Sequence, residues 1–292
     1  MPVAWLGTGV VSRTVKPVPN GDGLFLCGKQ PGGTAQARQR TGHIEGNGTM
    51  TELIYYADAY LQEFDAVVTA TDTSTGSPRV TLQRTAFYPG GGGQPADEGW
   101  LTAAGQSWRV TGAKKEGAET WYTLADSGDA SAIPAGATVH GKLDWDRRYK
   151  LMRTHTAMHI LCGVVWRDYG AQVTGGNMDP GQGRMDFEFA NLSREMIGEI
   201  EARCNAEIAA ARDIRTQSLP RDVAFQIPDL IRTKINLLPA GITEIRTVEI
   251  VGLDLQADGG THVANTREVG AIKVVEYKSK GAINKRIYIE LA

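Results

Sequence analysis

Long apolar runs are missing from this chain. No stretch approaches the ~18–20 residues that span a bilayer, and no charged-then-apolar start marks a secretory signal. Cysteine is scarce and odd in number: Cys27, Cys162 and Cys204 are widely spaced, which excludes a disulfide framework and makes a reducing cytoplasm the expected setting. Net charge is also small, formally −2, so any polyanion must be met by local basic patches rather than by the field of the whole molecule. Two stretches qualify: Lys142 to Arg153, which includes Arg147, Arg148 and Lys150, and Lys278 to Arg286. Histidine is rare too, and the placing of its five copies matters more than their number.

The 292 residues suffice for two domains, each with its own core. Residues 1–49 are rich in Gly, Pro and Thr with little periodicity, and read as an unpacked extension. An ordered pattern follows Met50 at once, so Met50 reads as the natural start. Residues 50–145 carry short β-rich runs at 66–70, 79–82, 108–111, 120–123 and 137–141, separated by turn signals, which predict a small β-barrel. Within it lies Phe87-Tyr88-Pro89-Gly90-Gly91-Gly92-Gly93-Gln94-Pro95-Ala96-Asp97. Four glycines in a row allow positive φ and close approach of the main chain to a ligand.

At about residue 146 the period changes, and 146–292 reads as a second, α+β domain. The spacing predicts a helix over 147–168 stopped by Gly170, and a second from an N-cap at Ser193 to Ala211 with Cys204 in its apolar stripe. Strands are expected at 244–250, 272–277 and 285–291, the last two as a hairpin.

Three of the five histidines fall in two pairs. His155 and His159 stand one turn apart on a helix, so both imidazoles reach one point. Asp258 and His262 repeat the interval beside Gly259 and Gly260. Four nitrogen and oxygen donors in two pairs match a divalent transition metal, zinc first. Thr156 and Ala157 occupy the middle of the helical pair, so the His-Glu-x-x-His pattern of metalloproteases is absent. Cys162 lies seven residues beyond His155, a rise of roughly 10.5 Å, too far to share an ion with both histidines; it is expected in the core.

With the Phe-Tyr-Pro-Gly-rich loop, His155-x-x-x-His159 and Gly259-Gly260-Thr261-His262-Val263 in this order, the chain resembles the alanyl-tRNA editing proteins, the AlaX family, over about 51–292. The resemblance implies an N-terminal β-barrel and a C-terminal α+β editing domain with one zinc ion. It implies cytoplasmic hydrolysis, in trans, of serine or glycine wrongly esterified to tRNA(Ala). By the same resemblance Thr85 recognises the serine hydroxyl, Gly91 and Gly92 belong to the loop that cradles the terminal adenosine or the oxyanion, and Gln94 is a polar contact. One departure stands out: Asp258 occupies a position where the family usually has cysteine, giving a harder ligand that can shift metal preference. Two alternatives stay open: a non-catalytic zinc or RNA-binding module with a degenerated site, and an editing hydrolase for another aminoacyl-tRNA, such as a threonyl-tRNA editing activity.

Overall fold

The computed structural model describes residues 51–74, 76–125, 132–231 and 241–292; the extension expected over 1–49 lies outside them. The first part of the described chain is all β. Its strands are β1 (Glu52–Leu53), β2 (Glu63–Asp72), β3 (Arg79–Leu82), β4 (Arg84–Thr85), β5 (Gly99–Ala103), β6 (Gln106–Glu116), β7 (Glu119–Leu124) and β8 (Thr138–Leu143). Six of them close into a barrel in the order β2-β3-β7-β6-β5-β8, while β1 and β4 form a short parallel pair. Alternation places Phe64, Ala66 and Val68 of β2 inside with Leu101, Val110, Tyr122 and Val139. All five expected strands are present; β5 went unpredicted because Gly99-Trp100 follows the glycine loop without a turn signal of its own.

The chain then enters α1 (Trp145–Tyr169), capped by Asp144, whose carboxylate accepts from the Arg147 amide at 3.3 Å. Gly170, at φ 63°, ends it. From Thr154 to Val165 every residue of α1 is buried, because the helix is enclosed on several sides. β9 (Val173–Asp179) and β10 (Gln182–Glu188) form a hairpin, followed by α2 (Arg194–Ala209), β11 (Ile214–Pro220), the single turn α3 (Arg221–Ala224), β12 (Glu244–Ile250) and β13 (Asp254–Ala257). β14 (Ile272–Ser279) and β15 (Asn284–Leu291) close the chain as the expected antiparallel hairpin. Two sheets result, β14-β15-β10-β9 and β11-β12-β13.

Leu151, Ile160, Leu161 and Val164 of α1 share a core with Ile200 and Cys204 of α2 and with Phe187, Ile287 and Ile289 of the larger sheet. Each such side chain contributes ~1.5–3 kcal/mol on full burial. Ser193 caps α2 as expected, accepting from Met196 N at 3.2 Å, and both Cys162 and Cys204 are buried. No helix among the described residues is long and apolar enough to cross a membrane.

The basic stretches are largely spent on the protein itself. Arg148 is fully buried, donating to both Asp97 oxygens and to Ala59 O and Ala86 O. Arg147 pairs with Glu98, Lys142 with Glu63, and Arg153 donates to Val269 O. Near the C-terminus Lys285 turns back onto Gly281 O and Ala282 O, and Arg286 meets Asp186 at 2.6 and 2.7 Å. Lys150 and Lys280 remain exposed, so the phosphate contacts expected of both stretches shrink to these cations.

Candidate metal centre and cleft

Helix α1 presents His155 and His159 on one face, and the loop after β13 brings Asp258 and His262 against them. One donor atom from each of the four lies within 4.8 Å of every other. His262 Nε2 is 3.0 Å from Asp258 Oδ2 and His155 Nε2 is 3.6 Å from Asp258 Oδ1. Those distances bracket the roughly 3.3 Å edge of a tetrahedral zinc site with ordinary bond lengths. The three imidazoles pack together, with ring centroids 4.3–5.2 Å apart.

Each ring is oriented through its other nitrogen. His155 Nδ1 donates to Gln94 Oε1 at 2.9 Å, and His159 Nδ1 donates to Asp254 Oδ2 at 3.0 Å. His262 Nδ1 lies 3.2 Å from Thr156 Oγ1. The Gln94 and Asp254 oxygens only accept, which fixes Nδ1 as the protonated position of His155 and His159 and leaves their Nε2 with the lone pair. The donor set therefore fits a divalent ion: three imidazole nitrogens, one carboxylate, and an orienting partner behind every ring.

Electrostatics support the same reading. Burial pushes the His262 pKa down to about 4 and that of His155 well below its ordinary value, so both are neutral near pH 7, the form a metal requires. Burial alone would raise the Asp258 carboxyl; the surrounding imidazoles, His155 first, outweigh it and hold Asp258 well below the usual carboxylate range.

The glycine loop closes over this group. Gly90, Gly91, Gly92 and Gly93 all have positive φ (87°, 131°, 59° and 88°), as a left-handed run of this kind demands. Gly91 and Gln94 exchange backbone hydrogen bonds at 3.0 Å each, and Tyr88 Oη donates to Gly91 O. A Cβ on Gly92 would stand 3.6 Å from Asp258 Oδ1, so the turn passes directly beside that carboxylate. The amides of Gly92 and Gly93 have no hydrogen-bond partner among the described residues. At the loop's far end Tyr88 N donates to Asp97, the partner of Arg148, which ties the loop to α1.

Gln94, expected as a polar contact for substrate, has both ends of its amide engaged. Oε1 accepts from His155 and from Thr261 N, and Nε2 donates to Thr261 Oγ1. It orients His155. Thr85 is completely buried in β4 and does not line the cleft; its hydroxyl accepts from Phe87 N at 3.1 Å. Gly91 and Gly92 lie at the loop's turn, with Gly92 in the cleft wall.

The cleft has a volume of about 1070 Å³. His155, His159 and Asp258 form one end; Met158, Val173, Met185 and Ile245 make an apolar wall; Tyr56 and Arg246 stand opposite the glycines. Asp254 and Gln256 stand just before Asp258 in the sequence. Gln256 Nε2 bonds Asp254 at 2.7 Å and Cys162 Sγ at 3.3 Å, so both belong to the network behind His159. Thr156 and Arg246 were missed. The first was visible only as filler between two histidines, and the second comes beside Asp258 through a backbone bond that only sheet pairing creates.

The sequence model for the threonyl and alanyl tRNA synthetase second additional domain matches residues 245–288, and that for class II (A) tRNA synthetases matches 33–147. The chain is 37% identical over 246 residues to an alanyl-tRNA editing protein AlaX-M of Methanosarcina mazei, covering 83% of this chain and 97% of that one. It is likewise 37% identical to the AlaX-M of Saccharolobus solfataricus, over 82% of this chain and 98% of the relative. An alanine–tRNA ligase of Ignicoccus hospitalis shares 37% identity over 231 residues, 77% of this chain but 24% of that enzyme.

Proposed function

The chain belongs to the alanyl-tRNA editing proteins, and from that membership we propose that it hydrolyses, in trans, the ester joining serine or glycine to tRNA(Ala). The site for this chemistry is the cleft over His155, His159, Asp258 and His262, which would hold one divalent ion, zinc by the nitrogen-rich donor set. The carrying observation is the convergence of these four side chains, three of which form one end of a cleft of about 1070 Å³, with each histidine held by a second residue.

When bound, such an ion supplies Lewis acidity, polarising a carbonyl or lowering the pKa of water. The protein supplies the rest. The unpartnered amides of Gly92 and Gly93 are suited to an ester oxygen as it gains negative charge; a donor of this kind is typically worth ~10²–10³-fold in rate. Gln94 and Asp254 hold His155 and His159 in one tautomer, and Thr156 steadies the His262 ring. The apolar wall from Met158 to Ile245 suits the flat face of a terminal base.

Selection against alanine requires a polar group that only a hydroxylated substrate satisfies; such a site can reject the analogue by ~10⁴-fold or more. Thr85 reaches the cleft only through Phe87 and the loop it holds, so its influence on serine choice is exerted by positioning that loop. The purified protein should deacylate Ser-tRNA(Ala) and spare Ala-tRNA(Ala). Equal rates on the two esters, or none on either, would remove the proposal.

A further inference from the structure

Arg246 is a cation in the wall of the cleft, and only part of its guanidinium is engaged. Nη1 donates to Asp258 O at 3.1 Å and to Gly260 O at 2.9 Å, bridging the two carbonyls that flank the metal loop's tight turn. The Arg246 carbonyl accepts from Asp258 N at 3.1 Å, so backbone and side chain grip the same loop. The guanidinium sits 5.1 Å from the Tyr56 ring centroid, which limits its rotation. Nε and Nη2 make no hydrogen bond among the described residues, although the side chain lines the cleft. A rigid planar fork with two uncommitted donors, on a residue that lines a cavity, matches the oxygens of a phosphodiester.

We infer that Arg246 anchors the phosphodiester of the 3′-terminal nucleotide while its Nη1 holds the Asp258–Gly260 turn. This rests on the aminoacyl-tRNA reading of the cleft. One ribose separates the ester at the metal end from that phosphate, and Arg246 is the cross-strand neighbour of Asp258. The other cleft-lining ionisable group on its strand, Glu244, carries the opposite sign. The same guanidinium thus registers the substrate against the residue that would bind the metal.

The test is binding of uncharged single-stranded RNA ending in CCA to zinc-saturated protein over a range of salt. Each phosphate contact on a single strand contributes a slope of about −0.7 to log K against log salt. Arg246→Gln should make the slope less negative by about that amount, Arg246→Lys should retain it, and the same RNA circularised, which has no 3′-terminal nucleotide, should show no difference between wild type and Arg246→Gln. Identical slopes for wild type and Arg246→Gln on the linear RNA would overturn the anchor, and equal loss on the circular RNA would overturn its assignment to the terminal nucleotide. Wild type that binds with the predicted Arg246 dependence yet hydrolyses no seryl ester would leave the anchor standing and defeat the editing reading alone. Absence of any RNA binding by wild type would defeat both.

Discussion

Gly260 is the residue on which the centre's geometry is most sensitive. A Cβ there would collide with the His155 ring and stand 2.8 Å from Gln94 Oε1, so neither the ligand nor its orienting partner could stay in place. Gly260→Ala should lower zinc affinity by at least the ~10–100-fold typical of disturbed orienting partners, read by chelator competition. Wild-type affinity in that variant would show that the loop adapts freely. The buried histidines add a pH signature. Their folded pKa values lie below the ~6.5 of an exposed histidine, with His262 at about 4, so the unfolded chain binds more protons between these values. Stability of the metal-free protein should therefore fall as pH drops from about 6.5 towards 4, and His262→Gln should flatten the decline. Denaturant titrations at several pH values check this, and a pH-independent midpoint contradicts it. At this scale the four converging side chains were legible in the sequence and their supports were not. His155, His159, Asp258 and His262 share one interval, whereas Gln94, Thr156 and Asp254 reach them from three different segments with no shared spacing.

Helix α1 and the glycine loop behave as one unit because of Arg148 and Asp97. Both side chains are fully buried, and Asp97 also accepts from Tyr88 N at 2.7 Å. Removing one partner strands the other charge in the interior, which typically costs ~3–5 kcal/mol. Arg148→Met should lower unfolding free energy by about that much and loosen the loop over the metal residues. A loss below ~1 kcal/mol in denaturant unfolding would contradict the unit, since that is the value of an exposed pair. Elements with strong periodicity were legible: α1, α2 and the β14–β15 hairpin lie within a few residues of their expected bounds. The β9–β10 hairpin was not, because Gly175, Gly176 and Gly183 break its alternation. Gly183 is there for clearance, since a Cβ would stand 2.9 Å from Met158 Sδ on α1. β11 was hidden for another reason: none of its residues is buried, so no apolar pattern marks it.

At the scale of the molecule, a barrel core and an α+β core are joined across the loop that leaves the first and the helix that opens the second. The change of period near residue 146 made both legible, since alternation and 3.6-residue spacing cannot be confused over such lengths. Their mutual contact was not legible. Arg148 read as one more cation in a basic run, and only the fold turns it inward. The cleft depends on this junction, because Gly92 comes from one side while His155 and Asp258 come from the other. The most direct test is single-turnover deacylation of Ser-tRNA(Ala) while zinc is titrated into metal-free protein. Hydrolysis should rise with zinc, level off at one equivalent per chain, and stay absent in His155→Ala. A rate indifferent to zinc, or unchanged by that substitution, would contradict the account.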